Sequence, residues 1–126
     1  MRILLICVFM IFTGTAHASC LKNGDSTSVA GVLVVKTYQS PDDIPRPVRK
    51  WVLQLDTPLK CVAEVDTSFP AWNSDITIIP LNGLEQSFSY YADRRVIVSG
   101  KIALAATAYH YTAILLLADK VEQVKK

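Results

Sequence analysis

Residues 75–105 read DITIIPLNGLEQSFSYYADRRVIVSGKIALA, and this stretch decides the fold. It opens on β-branched residues, with Ile76 and Ile78 on one face, and Asp75 to Leu81 is read as a third strand. Proline has no N–H to give a ladder, so Pro80 marks an edge or the exit of a strand. Asn82 and Glu85 then have the spacing of a capping box, and Leu84, Phe88 and Tyr91 recur on one helical face, which predicts a short helix. From Arg95 to Ala105 the period falls to two. Val96, Val98, Ile102 and Leu104 alternate with Arg95, Ser99 and Lys101, and Gly100 stands where a strand can bend sharply.

Upstream, Val29 to Tyr38 is a strand apolar on both faces until Lys36, which predicts a central position. Trp51, Leu53 and Leu55 alternate with Val52, Gln54 and Asp56, a second strand with one face toward water. Trp51 is expected in the core. Asn23-Gly24, the prolines between Pro41 and Pro47, and Pro58, Pro70 and Asn82-Gly83 punctuate the chain as turns. Downstream the pattern is ambiguous. Ile114, Leu117, Val121 and Val124 fit a helical period, whereas Tyr111 to Leu117 as a strand would be apolar on both faces. Three strands, a helix and two strands is the order of the five-stranded oligonucleotide/oligosaccharide-binding (OB) barrel, and a last strand closes it. Residues 111 to about 119 are therefore read as strand, with the rest a polar end. The expected fold is mainly β, a five-stranded OB-like barrel with one short helix between strands 3 and 4.

The first residues concern export. Ile3 to Phe12 is an apolar run after Arg2, and Ala16-His17-Ala18 is a small-x-small peptidase site. Ten apolar residues reach roughly 15 Å as a helix, about half a bilayer core. Residues 1–18 are read as a signal peptide cleaved after Ala18, and residues 19–126 as a single OB-like barrel domain in the periplasm or secreted. Lipidation of Cys20 is the alternative, although His17 stands where such signals usually carry Leu. Cleavage removes Cys7 and leaves Cys20 and Cys61 in an oxidising compartment, where they are expected to pair. The loop they close, about 40 residues, is worth on the order of 4 kcal/mol in the chain-entropy picture.

The mature chain keeps 12 of the 13 Lys and Arg against 11 Asp and Glu, and Arg46, Arg49, Lys50, Arg94 and Arg95 are interspersed with acids. A near-neutral balance without a basic stripe argues against nucleic acid.

Cys20-Leu21 after the expected signal, Gly31-Val32-Leu33, Trp51 to Asp56 followed by Pro58 and Cys61-Val62, Arg95 to Gly100, and His110 and Thr112 before an apolar strand stand in this order along the chain. Over roughly residues 20 to 121 the chain resembles a family of small secreted bacterial proteins known only as a domain of unknown function. The resemblance implies paired cysteines and a strand at the C-terminal end, and it supplies no activity. Members often carry several histidines around the loop before the last strand, a cluster suited to metal. Here the matching stretch, residues 106–112, keeps only His110 and Thr112 of that pattern, so no metal site is carried over.

With His110 the one histidine after processing, a Ser-His-Asp or Cys-His mechanism, or a multi-ligand metal site, is poorly provided for. No catalytic residue, metal or cofactor is expected. Carboxylate pairs drawn from Asp42, Asp43, Glu64, Asp66 and Asp75 leave a small hydrolase as one alternative, against the expectation that acids in turns bond their own backbone. Recognition through a surface is the leading expectation. Tyr109, His110 and Tyr111 form an aromatic cluster between the last two strands, one of the loops with which barrels of this type bind; the competing role is packing on the barrel. Trp72 is a further binding candidate, or else a lid over the barrel end. The function expected is an exported, non-enzymatic binding protein, an inhibitor or immunity-type protein acting on a protein partner in the envelope. The alternative is a glycan-binding subunit of a secreted assembly.

Overall fold

A computed structural model describes residues 20–124. Residues 1–18, the expected signal peptide, lie outside the described residues. Five strands, β1 (Ser26–Gln39), β2 (Pro47–Leu55), β3 (Asp75–Pro80), β4 (Arg95–Leu104) and β5 (Ile114–Gln123), close into a barrel in the order β1-β2-β3-β5-β4, with β4 returning to β1. The helix α1 (Glu85–Tyr91) stands between β3 and β4. This is the OB-like arrangement expected of the sequence. All neighbours are antiparallel except β3 and β5.

Alternation fills the interior. Leu33, Leu53, Ile76, Val96, Ile102, Ile114 and Leu116 are fully buried, and α1 adds Phe88, whose ring stands perpendicular to that of Trp51 with centroids 5.6 Å apart. Each such side chain contributes roughly 1.5–3 kcal/mol by leaving water. Two glycines allow the strands to close. A Cβ on Gly31 would lie 2.2 Å from the Gln54 carbonyl oxygen, and one on Gly100 would lie 2.0 Å from that of Leu117. Beside Gly100 the β4–β5 register shifts, Ser99 facing Lys120 while Gly100 faces Ala118. Asp119 is the extra residue of this bulge, which bends the ladder where the sequence placed a bend.

Cys20 is bonded to Cys61 with their Cα atoms 4.8 Å apart. Around the disulfide, Leu21 donates to the Cys61 carbonyl and accepts from the Ala63 amide, tying the chain start to the long β2–β3 connection. No helix among the described residues is long and apolar enough to cross a membrane.

Several expectations are corrected. β5 begins at Ile114, not 111, because the Thr112 hydroxyl takes the Thr77 amide at 3.1 Å and bonds the Ile114 carbonyl at 2.7 Å, occupying the position where ladder pairing would start. It also runs on to Gln123, through Val121 opposite Val98. β2 begins at Pro47, since residues 47–50 continue the pairing with β1 as a long hairpin. The Asn82–Glu85 capping box does not form. Asn82 takes a positive φ of 53° and the helix is preceded by Leu84 with no side-chain cap. Val52, assigned to the water-facing side of β2, is fully buried.

Candidate functional site

The burial of Val52 locates the site. Outside the barrel, register aligns Val34, Val52, Thr77, Leu115 and Ala103 in a row across the strands. Val52, Thr77 and Leu115 are buried there, with Thr77 and Thr112 joined hydroxyl to hydroxyl at 2.7 Å. The double-sided apolar character of the last strand is thereby explained: Ile114 and Leu116 face the core, and Leu115 forms part of an external floor.

Over this floor lies a groove of about 370 Å³, lined by Arg49, Lys50 and Trp51 of β2, by Thr77 to Pro80 of β3, by Glu85 and Leu115, and by Tyr109, His110 and Tyr111. Its size is at the small end of ligand sites. The groove exists because β2 and β3 part company. Their pairing stops at Val52 opposite Thr77, and continuing the register would set Arg49 against Pro80. Pro80 has no N–H to give, so the ladder cannot close at that rung. Pro80 keeps its partner Ala118 on the other side, in β5.

Two connections wall the groove. The β1–β2 hairpin projects beyond the barrel, and the β4–β5 loop leans on it. The Tyr109 hydroxyl donates to Asp42 Oδ1 at 2.6 Å, and the Tyr111 ring stacks on Tyr38 at 4.8 Å with planes 9° apart. The bond from Tyr109 holds the Asp42 carboxyl below the usual carboxylate range, with Ser40 and Arg46 acting the same way, and Asp42 in turn raises the Tyr109 phenol. Within the loop the Ala106 amide donates to His110 Nδ1 at 2.8 Å. That places the ring proton on Nε2, a donor. The Tyr111 hydroxyl is buried with no hydrogen-bond partner among the described residues. Such an atom costs about 1–3 kcal/mol until something bonds it.

Charge is uneven around the groove. Lys36 and Lys50 face one another across β1 and β2, a repulsive placement. Lys36 bonds Asp75 at 2.6 Å, which raises its pKa. Lys50 and Arg49 form no ion pair among the described residues.

Of the residues singled out in the sequence, Tyr109, His110 and Tyr111 come together on the groove. Trp72 does not line it; half-buried, it packs against the barrel core. Trp51 has two roles, packing on Phe88 and lining the groove. Arg49, Lys50, Ile79 and Glu85 had not been singled out. The signal for them was a proline ending one strand beside paired cations on the next. Of the five carboxylates weighed for hydrolysis, three are engaged: Asp66 within its own turn with Ser68, Asp42 with Tyr109 and Arg46, and Asp75 with Lys36. Among the described residues no three His, Cys, Asp or Glu stand close enough to share a metal ion. No protein-family model matches the chain, and searches of curated proteins and solved structures return no significant match.

Proposed function

We propose that the mature chain is an exported, non-enzymatic binding protein that holds a protein partner of the cell envelope in the groove between the β1–β2 hairpin and the β4–β5 loop, as an inhibitor or immunity-type protein would. The carrying observation is the buried Tyr111 hydroxyl, without a partner among the described residues, beside Arg49 and Lys50, which form no ion pair among them, and the His110 Nε2 donor. The Tyr111 hydroxyl is desolvated before any ligand arrives and the His110 ring is held by the Ala106 amide, which lowers the cost of binding at those two groups. The apolar signal segment and the Cys20–Cys61 crosslink support an extracytoplasmic setting.

The test is affinity capture from envelope extract with the mature chain, alongside a variant carrying Tyr109→Ala and His110→Ala. A stoichiometric partner held by the first and lost by the second is expected. Equal capture by both would move the surface elsewhere, and no specific capture would overturn the protein-partner role. The half-exposed Tyr109 ring and Trp51 in one groove favour a glycan as second reading. A glycan array probed with the mature chain decides it, a signal lost with Tyr109→Ala supporting the glycan and a blank array removing it.

A further inference from the structure

The part of β2 that β3 abandons is an open strand edge. In an antiparallel ladder each residue aims both backbone groups at one neighbour, and the neighbour alternates along the strand. Ser40 bonds Arg46 and Asp56 bonds Ala30 across the β1–β2 hairpin, while Leu55 bonds Ser74 toward β3. Even-numbered residues of β2 therefore face β1 and odd-numbered residues face β3. Since the β3 ladder ends at Val52 and Thr77, the N–H and C=O of Arg49 and the C=O of Pro47 are directed into the groove with no partner strand among the described residues. They recur every two residues, about 6.7 Å, which is the repeat of an extended polypeptide.

We infer that the Pro47–Trp51 edge accepts an extended, acidic segment of the partner protein as an added strand. The inference rests on the groove being the binding surface, and it names what that groove takes. Main-chain bonds to Arg49 would supply affinity, as in other cases of strand addition. Arg49 and Lys50, both without an ion pair among the described residues, select acidic side chains, and Trp51 and the partly exposed Ile79 provide apolar contact. A second copy of this chain is a poor occupant of the edge, because edge-to-edge pairing would bring Arg49 and Lys50 against their own counterparts.

The test uses random heptapeptides displayed on phage and selected on the mature chain. Enriched peptides are expected to carry Asp or Glu at alternating positions among β-branched residues. Arg49→Pro removes the groove-facing donor without removing a β1–β2 ladder bond, and should weaken their binding about tenfold. Lys50→Glu should weaken it as well. N-methylating the backbone nitrogens of an enriched peptide, in each of the two alternate sets, removes the donors that would bond the Arg49 and Pro47 carbonyls, and it leaves the protein unaltered, so the result does not depend on the Arg49→Pro variant folding. One of the two sets is expected to abolish binding. Binding that survives N-methylation of either set, enrichment without acids, or no enrichment overturns strand addition. Failure of the groove as the binding surface is read separately, in the capture experiment with the Tyr109→Ala, His110→Ala variant.

Discussion

Single atoms in the groove carry measurable consequences. Tyr111 presents a buried hydroxyl that nothing among the described residues bonds. Tyr111→Phe keeps the stack on Tyr38 while deleting that atom, so urea unfolding should show a gain of about 1–2 kcal/mol. A loss would mean that the hydroxyl has a partner in solution. Tyr109 and Asp42 form the tie between the two walls. The carboxyl pKa is lowered, so its contribution is present above the ordinary carboxylate value and is lost as pH falls through the depressed one. The phenol pKa is raised, so the same tie is also lost as pH rises through that raised value. In Tyr109→Phe, an NMR titration should find Asp42 moved up toward an ordinary carboxylate. An unmoved Asp42 would show that Ser40 and Arg46 hold it unaided.

The strands and their connections differ in how far composition alone reveals them. β4 was legible because its two faces differ sharply, as between Val96 and Arg95, and Gly100 was legible as a bend. There a Cβ would meet Leu117 backbone at 2.0 Å, so Gly100→Ala should cost about 3 kcal/mol or more in a thermal or urea melt. A near-neutral result would mean that the bulge relaxes freely. The start of β5 was not legible, since what stops it is the Thr112 hydroxyl reaching Thr77, 35 residues away in sequence. The buried outer face of β2 was hidden for a similar reason. Val52 is covered only because register brings it beside Thr77, and Thr77 beside Leu115. Tyr109 to Tyr111 could be picked out by type, but Arg49 and Lys50 looked like ordinary surface charge until the strands were seen to separate.

As a whole, the chain is a small barrel whose long β2–β3 connection is held by one covalent tie. Cys20 and Cys61 are separated by 41 residues, so replacing both with Ala should lower the unfolding free energy by about 4 kcal/mol, read from denaturant midpoints with and without reductant. Midpoints that reductant leaves unchanged would assign that stability to the core instead. In the groove of this barrel, strand separation coincides with two cations and a hydroxyl that have no partner among the described residues. Hydrogen-exchange mass spectrometry of residues 19–126, alone and with the partner that the capture experiment is expected to return, tests that surface most directly. Slowed exchange should appear in residues 47–51 and 105–113, with the face around Asp56, Lys60 and Arg95 unchanged. Protection confined to that other face would contradict the assignment of the groove as the binding surface.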